Sequence, residues 1–214
     1  MNLDVILLNY NMIMKETTEY KKFIIDLESK PQEDLIDIYT GTIKAPKTYK
    51  DEEKIKEYIK KEKAKLRKKM SVDPDFASII CIGIRELGCE SKLYNLEDMP
   101  KWFKDNPKPV FISFNGKRFD MKLLIKAGLK KDLDLPYQML KVMTKRYSTE
   151  WHIDLQEVIC DNEYKSLDTL LQVYCGVSKK PINFETASEE EIKIHCREDL
   201  VNSEKLYNKF KKII

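Results

Sequence analysis

Apolar residues along this chain gather first into short, dense runs and later into stripes of helical period. Phe23-Ile24-Ile25-Asp26-Leu27-Glu28-Ser29 is the first such run. Its branched residues predict a strand over 22–28 covered on both faces, although a run this short also fits a buried helical turn. Ile79 to Ile84 predicts a second strand, and Lys92 to Asn95 a third beyond a turn at Gly88. A helix over Leu96 to Asp105 ends at Asn106-Pro107. Val110 to Phe114 reads as a strand that runs through Asn115-Gly116 into an amphipathic helix from about Arg118 to Ala127, closed by Gly128. Trp151 to Leu155 is a short strand or a strand-to-helix junction, Ser166 to Tyr174 a helix, and Gly176 to Phe184 a loop. Ser188 with Glu191 three residues on forms a capping box that starts the last helix. On that helix Ile192, His195, Cys196, Asp199, Ser203, Leu206, Tyr207 and Phe210 share one stripe. Strands followed by helices in this order predict an α/β layered fold.

Between these elements lie polar stretches. From Pro31 to about residue 75 the chain makes a long excursion, within which Asp51 to Met70 reads as a charged helix with Ile55, Tyr58, Ile59 and Leu66 as its sparse apolar positions. Its second half, Lys60 to Lys69, is the most basic stretch of the protein. It reads either as a footing for a phosphate backbone or as a solvated face in a lysine-rich chain. Lys130 to Thr149 is a second polar, basic segment, and the first 20 residues add a strand or helix to the core without evident chemistry.

Composition narrows the class. The chain of 214 residues, 42% hydrophobic and 35% charged, is long enough for one well-buried core and too apolar for disorder. A net charge of +3 does not by itself argue for nucleic acid, because 39 bases are nearly matched by 36 acids. Five cysteines, odd in number and without Cys-x-x-Cys spacing, read as reduced thiols of a cytoplasmic protein and not as a disulfide frame or zinc site. Val5 to Met14 has no basic residue before it and no small-residue cleavage site, so it does not read as a signal peptide. No stretch is long enough to predict a membrane span.

The acids change the picture. In a strand, Asp26 and Glu28 project side by side from one face, where two carboxylates repel unless a cation or proton lies between them. A divalent cation is the simplest answer, and a solvated strand end the alternative. Asp199 sits on the apolar stripe of the last helix, one turn from His195, and an acid there needs a partner. Either the two hydrogen-bond at a wet edge, or Asp199 joins Asp26 and Glu28 around metal. Asp120 falls in the first turn of a helix, where the dipole favours an acid in any case.

Together, Asp26-x-Glu28, then Asn115-x-x-x-Phe119-Asp120, then His195-x-x-x-Asp199 resembles the three-motif signature of DEDD 3′–5′ exonucleases, and the middle motif is especially like that of the exonuclease domain of family B DNA polymerases. The resemblance covers residues 22 to 210 and includes the strand Ile79 to Ile84 and the segment His152-Ile153-Asp154-Leu155. It implies a ribonuclease H-like mixed sheet flanked by helices, with a basic helical insertion at about 30–75, and a single exonuclease domain over 1–214. The departure is at His195. Members of the family carry either Tyr four residues before the last Asp or His five residues before it; this chain has the first spacing with the second residue.

The resemblance also implies two-metal hydrolysis of phosphodiesters at the 3′ end of single-stranded nucleic acid, DNA favoured over RNA, with release of nucleoside 5′-monophosphates. Asp26 would bridge two Mg²⁺ ions, Glu28 and Asp199 would hold the one that activates water, and Asp120 would support the second; Mn²⁺ should substitute. His195 would orient or deprotonate the water. Asn115 would touch the terminal nucleotide, Phe119 would pack beside the site or in the core, and Lys117, Arg118 and Lys30 would contact phosphates. His152 and Asp154 either serve the site or cap the following helix. There is no room for a polymerase domain, so proofreading in replication or repair would serve a separate polymerase. A module that binds nucleic acid without turnover is the competing expectation, because His195 is altered.

Overall fold

The computed structural model describes residues 20–41, 43–161 and 163–214, so the element expected in the first 20 residues lies, but for Tyr20, outside the described residues. Five strands form one sheet: β1 (Lys22–Pro31), β2 (Ala77–Glu86), β3 (Lys92–Tyr94), β4 (Val110–Ser113) and β5 (His152–Asp154). Their order is β3-β2-β1-β4-β5. β2 runs antiparallel to β1 and β3, whereas β4 and β5 run parallel to β1 and to each other. The helices are α1 (Glu33–Thr40), α2 (Glu52–Ser71), α3 (Met99–Asp105), α4 (Asp120–Lys130), α5 (Tyr137–Met143), α6 (Leu155–Cys160), α7 (Leu167–Cys175) and α8 (Glu189–Phe210). This is the α/β, ribonuclease H-like mixed sheet flanked by helices that the sequence led us to expect.

β1 is central because both of its faces are apolar. Phe23, Ile25 and Leu27 pack with Ile84 and Ile82 against Trp102 and Phe103 of α3, Met121 and Leu124 of α4, and Leu140 of α5. Ile24 turns the other way, into a layer with Ile112, Ile153, Leu171, Leu200 and Leu206. Period-two alternation therefore sends Asp26 and Glu28 toward the α8 side. There Gly83 lies opposite Asp26. A Cβ on Gly83 would come within 2.6 Å of the Cys196 sulfur and 2.8 Å of Leu200 Cδ1, so the missing side chain lets α8 close on the sheet.

Three local expectations differ. The 130–149 segment holds α5, which begins after Pro136 and buries Leu140 and Met143. The excursion after β1 holds α1 in addition to α2, with Ile36 buried. Gly128 does not close α4, which continues to Lys130; a Cβ there would meet Leu135 Cδ1 at 2.5 Å and the Tyr137 hydroxyl at 3.1 Å, so glycine serves close packing. α2 starts where the Asp51 carboxylate accepts the Glu53 N–H at 2.9 Å. Its far end is tied to β1, the Ser29 hydroxyl donating to the Ser71 carbonyl at 2.7 Å. Among the described residues no helix is long and apolar enough to cross a membrane.

Candidate active site

Three stretches distant in sequence meet at the end of β1. Glu28 pairs with Cys81 but Ser29 with Ile79, so Ile80 is an extra residue that bulges β2 just past the two acids. α8 delivers Cys196 and Asp199, and the first turn of α4 delivers Asp120. Asp26, Glu28 and Cys196 each offer a ligand atom, and these atoms lie within 4.8 Å of one another. Burial, and after it the charge of Asp199, lifts the Asp26 carboxyl to about 7 despite the opposing charge of Lys179. Glu28 is pushed up to about 9, by burial first and then by Asp26 and Asp199. Asp120 is raised well above the usual carboxylate range by burial and by Asp26, while the Leu27 N–H opposes the shift. Four carboxyl groups thus share one field, in which full ionisation without a cation is costly.

The donor set fits a divalent cation. Asp199 is buried, and its Oδ1 has no hydrogen-bond partner among the described residues. Hard carboxylate oxygens of this number suit Mg²⁺ or Mn²⁺. The Cys196 thiol is a neutral neighbour here: it donates to the Asp26 carbonyl at 3.8 Å, and its pKa is raised by the Cys81 thiol and by burial.

His195 Nε2 lies 3.6 Å from Asp199 Oδ2, and its ring meets Phe184 edge-on at 5.6 Å. Burial lowers its pKa, Asp199 raises it and Lys179 lowers it, with a net shift downward that leaves a neutral imidazole at physiological pH. The ammonium of Lys179 donates to Asp199 Oδ2. Its backbone N–H is fixed by Asp168 Oδ1 at 2.7 Å. Sequence reasoning passed over Lys179, which stands in a loop without periodicity in a chain of 39 basic residues.

The segment around the middle motif is held by β5. Asp154 accepts the N–H groups of Asn115 at 2.8 Å and Lys117 at 3.0 Å, and also caps α6 through Gln156 at 3.1 Å. His152 lies between the Met143 carbonyl (3.0 Å from Nδ1) and the Ser113 hydroxyl (2.7 Å from Nε2), and Ser113 accepts the Gly116 N–H. Burial lowers the His152 pKa to about 4, so the ring is neutral; Nδ1–H donates to the carbonyl and Nε2 accepts from Ser113. His152 and Asp154 are therefore scaffold. Gly116 stands directly against the acids, since a Cβ there would lie 2.9 Å from Asp120 Oδ2. Asn115 adopts φ 65°, and its buried Oδ1 has no partner among the described residues.

The expected phosphate contacts fare unevenly. The Lys117 ammonium, expected at a phosphate, is buried and bound to Glu157 Oε2 at 2.6 Å and the Ser148 carbonyl at 2.8 Å. Arg118 is exposed and lines a 210 Å³ cleft with Arg146 and Tyr164. Phe119 packs against the core layer under α4. Lys30 reaches Glu189 at 2.9 Å in an exposed pair.

Residues 101–213 match a family described as a predicted 3′–5′ exonuclease related to the exonuclease domain of PolB. That segment contains Asp120, His195 and Asp199, whereas Asp26 and Glu28 precede it. Among solved structures, the fold is similar to the family B DNA polymerase of the hyperthermophilic archaeon Pyrobaculum calidifontis, with a TM-score of 0.57 and 11% identity over 89% of this chain. The chain spans 24% of that polymerase's length, and at such identity the likeness is one of fold. No curated protein matches the chain. With more than half of its residues matched, the chain belongs to the family of predicted 3′–5′ exonucleases related to the PolB exonuclease domain.

Proposed function

We propose that this protein is a divalent-cation-dependent 3′–5′ exonuclease that removes nucleoside 5′-monophosphates from single-stranded nucleic acid, DNA in preference to RNA, within one exonuclease domain. The observation that carries the reading is the meeting of Asp26, Glu28, Asp120 and Asp199, whose crowding calls for positive charge. These four residues would hold two Mg²⁺ ions, with Mn²⁺ able to substitute; when bound, the ions supply charge stabilisation to phosphoryl oxygens and acidify water. His195, neutral and beside Asp199, accepts a proton from the attacking water, and Asp199 steadies the imidazolium that results. Lys179 offsets the negative charge of the cluster from the α8 side. Asn115, whose Oδ1 is buried without a partner among the described residues, would turn that group to the terminal nucleotide when it binds, and exposed Arg118 meets a phosphate. Single-stranded 3′ ends are the substrate, and a polymerase whose errors it would excise is the partner.

A 5′-labelled oligonucleotide, as DNA and as RNA, incubated with Mg²⁺ or with chelator tests this. A ladder shortening from the 3′ end with the cation alone, and lost in Asp26→Ala, supports the reading. The Lys179 ammonium on Asp199 favours one alternative, a binding module in which a lysine takes the cation's place. Retained binding without shortening in either Mg²⁺ or Mn²⁺ would establish that alternative instead.

A further inference from the structure

The positive charge of this protein is concentrated in one element. α2 carries nine of the 39 basic residues and four of the 36 acidic ones, leaving 30 and 32 for the rest of the chain. The remainder is thus slightly negative, so a lysine-rich composition alone does not account for the cluster. The helix dipole accounts for Lys68 and Lys69 in the last turn, but Lys60, Lys61 and Lys63 lie outside its reach. Lys65 is paired with Glu62 and Arg67 with Glu33. Lys60, Lys61, Lys63, Lys68 and Lys69 are exposed and form no ion pair among the described residues. The basic end of the helix is also the end tied to β1, at Ser29, the residue after Glu28.

We infer that the C-terminal half of α2 is a nucleic-acid-binding track that holds the phosphates upstream of the 3′ end. At 1.5 Å per residue the basic half is about 15 Å long, enough for roughly four or five phosphates at a duplex-like 3.4 Å spacing. A polyanion is the partner that fits, because the cleft it must enter is acidic and, with Lys179 already engaged by Asp199, the unpaired lysines of this element offset the repulsion. An anionic membrane fits less well: Ile55, Tyr58, Ile59 and Leu66 are half-buried against the protein, leaving no apolar face to insert. The inference rests on the exonuclease reading for its direction along the strand, and on the charge and placement of α2 for its existence.

The test replaces Lys60, Lys61, Lys63, Lys68 and Lys69 by Gln in the full chain, with a Lys→Arg variant at the same five positions as control and circular dichroism to verify the helix. Binding of a labelled single strand of about 20 nucleotides is measured in chelator between about 50 and 200 mM salt. The Gln variant should bind at least about tenfold more weakly at low salt, with a log–log salt slope shallower by roughly 2 to 3.5, at about 0.7 per lost phosphate contact. The Arg variant should match wild type. Cleavage of a dinucleotide, too short to run along the basic half of α2, should change far less than cleavage of the longer strand in the Gln variant. Equal affinity and slope in wild type and the Gln variant would overturn the inference, as would loss of binding to phosphatidylserine vesicles with oligonucleotide binding intact. A chain that shortens no substrate yet loses strand affinity in the Gln variant would sink the exonuclease reading and leave the track standing.

Discussion

Glu28 is at odds with its surroundings, a buried carboxyl in the field of Asp26, Asp199 and Asp120. Replacing it with Gln should raise the melting temperature of the cation-free protein at pH 8, because folding then no longer has to keep protonated a carboxyl that ionises freely in the unfolded chain, and should lower any nuclease rate by more than the roughly 10–100-fold typical of changes outside the ligand shell. Thermal melts in chelator and a cleavage assay check both halves. For His195 the account expects Tyr to preserve activity and Ala to lower it greatly; equal rates for wild type and His195→Ala would remove the imidazole from the chemistry. Asp26 and Glu28 were legible because period two in an apolar run has few readings. Asp199 was legible because an acid on an apolar stripe needs a reason. Lys179 was not: nothing local distinguishes it, and only the closing of the loop onto α8 gives it a partner.

At the scale of elements, the site depends on how closely α8 approaches β2. Gly83→Ala should push α8 outward at Cys196 and Leu200, destabilise the protein by about 1–3 kcal/mol and displace Asp199; urea melts together with activity would show it. Lys117→Met should cost less than the about 3–5 kcal/mol of a fully orphaned buried charge, since the nearly buried Glu157 loses its closest cation but keeps Arg146 at 3.5 Å. An exposed phosphate ligand would instead affect substrate affinity and leave stability alone. The strands and long helices could be read from their periodicity, and α8 from its capping box as well. α1 and α5, of eight and seven residues, could not, because one or two buried positions do not establish a period. Gly128 shows the limit of local rules, since its reason lies across the chain at Leu135 and Tyr137.

Across the whole molecule, the acids make stability depend on pH in a direction that isolates them. His152, held near 4 when folded, favours the native state above its usual 6.5 and withdraws that support as pH falls toward 4. Asp26 and Glu28 act oppositely: between their usual values near 4 and their folded values of about 7 and 9, the native state holds the extra proton, so stability falls as pH rises. Above pH 6.5 this second trend stands without the buried imidazole's opposition. Stability in chelator should therefore fall from pH 6.5 to 9, by up to about 1.4 kcal/mol per pH unit for each retained proton, with the melting temperature declining in step, and Mg²⁺ should flatten the decline. The most direct measurement is an anomalous-scattering map from crystals soaked in Mn²⁺. The account predicts density within coordination distance of Asp26, Glu28 and Asp199, with the Lys179 ammonium moved off Asp199 Oδ2. A map without density there, Lys179 still seated on Asp199, would contradict it.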